Sequence, residues 1–162
     1  MKSSDRRGFL NASIAACAAG SAIVVGLPGV SYLLTPVLRE REETWVELGA
    51  AEPLRSAPAP VSVRFQYEAQ VGYVRGRRSG LLLVVPESAE PAGVRVFSAV
   101  CTHKGCNVSW DAGEDAFACP CHRGRFDRGG APVEGPPTEP LVRVPTELRE
   151  DRLFARIAEG QA

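Results

Sequence analysis

The chain has 162 residues, with 19 lysines and arginines against 19 aspartates and glutamates, so its formal net charge is zero. That length suits one domain with an appendage, and the charge balance gives no reason to expect a nucleic-acid partner. There is no visible internal repeat, and 16 glycines with 13 prolines point to a loop-rich, β-rich body.

The first element is apolar. Lys2, Arg6 and Arg7 precede a run from Gly8 to Leu38 with no charged residue, longer than the roughly 20 residues that span a bilayer. A cleavable signal peptide usually has a shorter apolar core, so the run reads as a retained anchor. Pro28 lies within it and is expected to kink it. Asp5-Arg6-Arg7-Gly8-Phe9-Leu10 resembles a twin-arginine export signal, departing from the usual form at Asp5 and Asn11. Arg6 and Arg7 equally serve as plain positive-inside charge. Both readings put the N-terminus in the cytoplasm and the body across the membrane, in the periplasm. Cys17 follows Ile14-Ala15-Ala16 in a faint lipoprotein-like box, but the apolar run continues past it, as for a buried helix residue.

Arg39-Glu40-Arg41-Glu42-Glu43 ends the run and forms a neck, so residues 1–43 are assigned to signal, anchor and neck and residues 44–162 to a soluble domain. Trp45 suits the membrane interface and the domain surface equally. Strands are expected at Thr44–Leu48, at the alternating Val61–Tyr67, at the apolar run Leu81–Val85 and at Val94–Ser98. Residues 52–60 read as a Pro/Ala-rich loop. Leu141–Val144 and Leu153–Ile157 read as closing strands.

The informative stretch is Cys101 to Asp127. One box reads Cys101-Thr102-His103-Lys104-Gly105-Cys106 and the other Cys119-Pro120-Cys121-His122-Arg123-Gly124-Arg125-Phe126-Asp127. Both histidines of the chain and four of its five cysteines are here. Each box follows a strand, so the ligands are expected at the tips of two loops on a rigid β scaffold. Structural zinc is the plain alternative, but six candidate ligands overfill a tetrahedral ion.

Cys-x-His-x2-Cys followed by Cys-x-Cys-His resembles the Rieske family, which holds a 2Fe–2S cluster. The resemblance implies an all-β fold: a Rieske-type antiparallel β-sandwich with cluster-binding loops at its tip, preceded here by one N-terminal transmembrane helix. It implies that Cys101 and Cys119 bind one iron, that His103 and His122 bind the other, and that Cys106 and Cys121 form a disulfide. Two thiolates, two sulfides and two ferric ions sum to zero charge, and this neutrality raises the potential above that of a four-thiolate cluster. Imidazole also has a second nitrogen that can carry a proton. In the family, a proline-bearing loop at the place of Gly135-Pro136-Pro137 packs over the cluster.

The two further cysteines, the anchor and the proline loop resemble the iron–sulfur subunit of a quinol–cytochrome c reductase, a respiratory-chain oxidoreductase of the cytochrome bc type. Its partners would be a cytochrome b subunit, a c-type cytochrome and a quinol, with His122 taking the hydrogen bond from quinol. The alternative is the Rieske subunit of a periplasmic molybdenum oxidase such as arsenite oxidase. An oxygenase needs a further iron held by two more histidines, which this chain lacks. Many ubiquinol-oxidising relatives carry Ser and Tyr at the positions of Gly124 and Phe126. Their hydroxyls donate to the cluster, so their absence implies a lower potential, suited to menaquinol.

Overall fold

The computed structural model describes residues 3–38, 43–71 and 74–158. The chain divides into two units, Met1–Arg41 and Glu42–Ala162. Of the neck expected at residues 39–43, only Glu43 lies among the described residues.

The first unit is one helix, α1 (Ser3–Leu38), which continues through Pro28. Arg6–Thr35 is long and apolar enough to cross a membrane. Phe9, Val24, Val25 and Leu33 are all exposed, an apolar surface that costs free energy in water and none in hydrocarbon. Its hydroxyls turn back onto the helix: Ser21 Oγ donates to Cys17 O at 2.9 Å and Thr35 Oγ1 to Ser31 O at 2.7 Å. This satisfies polar groups that lipid cannot. Cys17 is exposed on the helix and not buried.

The second unit is all-β, built in three antiparallel layers. The first sheet orders β1 (Glu43–Ala50), β10 (Arg152–Ala158) and β9 (Thr146–Arg149). The second orders β2 (Val61–Val71), β3 (Val74–Pro86) and β4 (Val94–Ser98). The third runs β5 (Ser109–Asp111), β6 (Ala116–Cys119), β7 (Gly124–Phe126) and β8 (Pro132–Glu134). Antiparallel sheets packed face to face form the Rieske type of sandwich expected from the sequence.

Strand β3 explains the layering. Leu81–Val85 is apolar without alternation because both faces of its sheet are covered. Leu82 and Val84 join Val46, Phe65, Leu153 and Ile157 in one core. Leu83 and Val85 join Phe97, Phe117 and Phe126 in the other. All four β3 side chains are at most 1% exposed, each burial stabilising by roughly 1.5–3 kcal/mol. The second core lies directly beneath the two boxes, because Cys101 and Cys119 belong to it.

Two expectations need correction. Residues 52–60 are not all loop: Ala51–Arg55 forms a helical turn, α2, which buries Ala51 and Leu54. Pro53 is tolerated because the first turn needs no amide donor. Leu141–Val144 is not a strand. The segment runs beside β4, with Ser98 N–H donating to Val142 O and Val144 N–H to Val96 O, both at 2.9 Å. Only the Phe97–Arg143 bridge forms: Pro140 has no amide to donate, and Pro145 turns its carbonyl to the Arg156 N–H at 2.9 Å. The closing hairpin is instead β9–β10.

Trp45 is a domain residue on β1, opposite Arg156. The Arg149 guanidinium lies 4.9 Å over its ring and 5.0 Å from that of Phe154, a cation held between two aromatic faces.

Candidate metal centre

The first box is a tight loop at the end of β4. Cys101 N–H donates to Cys106 O at 2.8 Å and Gly105 N–H to Cys101 O at 2.9 Å. Gly105 takes φ +75°, where glycine has no Cβ penalty. The closure leaves His103 and Lys104 at the outermost point of the loop. The second box turns between β6 and β7, where Cys119 is paired with Gly124, and Pro120 to Arg123 form the turn.

Cys106 and Cys121 are joined in a disulfide with Cα atoms 6.6 Å apart. It staples one loop to the other across a sequence separation of 15. The sulfurs of Cys106, Cys119 and Cys121 lie within 4.8 Å of one another. With two of them bonded together, this is a disulfide packed on Cys119 and not a three-thiolate site.

That pairing leaves Cys101 and Cys119 as the free thiols of the two boxes, each 3% exposed. Burial pushes the Cys101 thiol up from its ordinary value, and the neighbouring Cys119 adds to this; the His103 and Lys104 amides, aimed at its sulfur, pull the other way. The histidines lie further out. Their rings meet edge to face, with centroids 4.9 Å apart; His103 is half-buried and His122 exposed. His103 Nδ1 is buried with no hydrogen-bond partner. An orphaned nitrogen of this kind costs about 1–3 kcal/mol unless something binds it. Two adjacent sulfurs, two adjacent imidazoles and an unsatisfied ring nitrogen fit a metal group with mixed thiolate and imidazole ligation.

A third loop closes over the pair. Gly135, at φ +88°, lies so close to the second box that a Cβ there would stand 2.8 Å from Arg123 O and from Gly124 Cα. Pro137 is buried against Gly124. Thr102 Oγ1 donates to Glu139 O at 2.8 Å, so this one loop holds both boxes. Sequence reasoning flagged its prolines but missed Thr102. Its position between Cys101 and His103 was the available signal.

Donor count alone also suits a tetrahedral ion, but the family decides between them. The model of the Rieske [2Fe-2S] domain matches residues 44–146. The chain belongs to the Rieske family. The iron-sulfur subunit of the cytochrome b6-f complex of Synechococcus elongatus is 31% identical over 155 residues, covering 94% of this chain and 84% of that one. Its counterpart in Chlorobaculum tepidum is 26% identical, covering 95% and 76%. The menaquinol:cytochrome c reductase iron-sulfur subunit of Geobacillus thermodenitrificans is 28% identical, covering 92% and 89%. The cofactor of this Rieske domain is a 2Fe–2S cluster.

Proposed function

We propose that this chain is the electron-transfer subunit of a membrane quinol–cytochrome c reductase, anchored by residues 1–43 and carrying its cluster in residues 44–162. Cys101 and Cys119 hold one iron, and His103 and His122 hold the other. The cluster, once bound, supplies a one-electron carrier whose potential is raised by histidine ligation.

The observation that carries the reading is the exposure of His122 above two buried thiols. Its side chain is exposed, so a quinol O–H can donate to a ring nitrogen and hand over its proton. Cys101 and Cys119 are sealed below, so the sulfur ligands are shielded from water. The Cys106–Cys121 staple and the loop through Pro137 hold His122 in place without covering it. A cytochrome b subunit supplies the quinol pocket and a c-type cytochrome accepts the electron. The N-terminus is cytoplasmic and the Rieske domain periplasmic, where a disulfide persists. The likeness to menaquinol:cytochrome c reductase and cytochrome b6-f subunits supports this assignment over a molybdenum-enzyme subunit.

The test is purification from native membranes in mild detergent, with electron paramagnetic resonance of the reduced sample. Co-purifying b-type haem, a Rieske-type signal and quinol–cytochrome c reductase activity lost in His122→Ala are the expected outcomes. A Rieske signal that travels with a molybdenum protein and no b-type haem overturns the reading.

A further inference from the structure

Two cations stand at the tip of the site with no anion to answer them. Lys104 follows His103 and Arg123 follows His122, and both are exposed. Elsewhere in the domain six described arginines have a carboxylate partner. Arg95 and Arg143 share Glu90, Arg125 lies between Glu114 and Glu134, and Arg149, Arg152 and Arg156 each have a glutamate. Among the described residues neither Lys104 nor Arg123 has an ion pair. Glu139, on the loop beside Thr102, is exposed and pairs with neither. Among the described arginines of the domain, Arg64, Arg77 and Arg78 of the β2–β3 hairpin also have neither an ion pair nor a ring contact, and Arg55 donates to Ala92 O.

The tip opposes the charge of its own domain. From Glu43 onward there are 14 basic and 16 acidic side chains, a formal charge of −2. Arg123 is also held at φ +56°, a conformation that a bulky side chain rarely adopts. Backbone strain next to an exposed functional side chain points to a role for the residue that bears it.

We infer that this tip is a docking surface for an acidic electron-transfer protein, whose carboxylates meet Lys104 and Arg123 on either side of His122. The inference rests on the reading that His122 is a cluster ligand. Exposed charge pairs add little affinity, but they steer encounter and orient the partner. The partner's redox group is thereby brought to His122, the more exposed of the two imidazoles.

The full chain contains only two lysines, Lys2 and Lys104, so amine acetylation followed by mass spectrometry reads the tip directly. The sample is cluster-loaded protein in non-ionic detergent, and the probe is polyaspartate. Polyaspartate should slow acetylation of Lys104 several-fold. The protection should vanish in Arg123→Gly, which suits the positive φ, and survive in Arg123→Lys. A second readout is one-electron oxidation of the reduced protein by hexacyanoferrate(III), which becomes hexacyanoferrate(II). The wild-type rate should fall with salt, and Lys104→Gln with Arg123→Gly should lower it about tenfold at low salt. A cationic cobalt(III) oxidant should show the opposite trend. Protection of Lys104 by phosphatidylglycerol-doped micelles but not by polyaspartate would assign the tip to lipid and overturn the proposal. So would equal salt slopes in wild type and double variant. Absence of a Rieske resonance from the loaded wild type overturns the reading beneath it instead.

Discussion

Pro137 occupies the space that a side chain on Gly124 would need. Its Cγ and Cδ lie 2.7 and 3.0 Å from where a Cβ on Gly124 would stand, and both residues are buried. The proline ring cannot rotate away, and Gly135 already presses the same loop onto the Arg123–Gly124 backbone. Gly124→Ser should therefore destabilise the protein by roughly 1–3 kcal/mol, the usual cost of overpacking. Thermal unfolding of the oxidised protein should show a midpoint several degrees lower. An unchanged midpoint would mean that the loop yields freely.

The same contact decides how the redox potential should be probed. Serine at 124 adds a donor but also moves the loop, so its effect mixes two causes. Phe126 offers the cleaner change. It is fully buried on β7, paired with Phe117. On the family resemblance, a tyrosine hydroxyl there reaches a ligand cysteine sulfur. A charge-assisted bond contributes roughly 1.5–3 kcal/mol, and only the difference between redox states counts. Phe126→Tyr should raise the potential by about 50–100 mV, at about 59 mV per tenfold for one electron. Voltammetry tests this, and a potential that stays put removes the case for a menaquinol-range centre.

The disulfide should matter for both stability and lifetime. It closes a loop with a sequence separation of 15, and cross-links of that length contribute about 3 kcal/mol. Cys106→Ala should lower the denaturant midpoint accordingly. It leaves Cys101, His103, Cys119 and His122 in place, so the cluster should assemble and then bleach faster in air. Absorbance decay under air measures that lifetime, and a wild-type value would deny the staple any protective role.

Orientation can be read with a protease. Arg6–Thr35 can span a bilayer, and Arg6 and Arg7 should keep the N-terminus cytoplasmic. Protease added to spheroplasts should release a fragment containing the Rieske domain. Release from inverted vesicles instead would reverse the topology.

The candidate ligands stood out because Cys and His are rare in this chain and crowd into two short boxes. The long hairpin strands were legible where side chains alternate or run continuously apolar. Leu141–Val144 misled for the same reason. Its side chains do alternate between partners, Leu141 entering the core beneath the boxes and Val144 the other. It meets β4 at a single bridge, too little for a ladder. The short strands β5, β7, β8 and β9 have three or four residues each, too few for a periodic signal. The unequal exposure of His103 and His122 depends on contacts between loops distant in sequence, as does the fit of Pro137 on Gly124. Spacing within a box carries no information about either.

The hydrogen bond from Ser98 N–H to Val142 O joins the points where the chain leaves the second sheet and comes back beside it. Residues 99–141, which contain both boxes, the staple and the proline loop, thus form an insert whose two ends are neighbours. Its socket is one face of β3 and β4, supplied by Leu83, Val85 and Phe97. Such an insert behaves as a cassette. The β1–β10–β9 layer gives no residue to the core on which it sits.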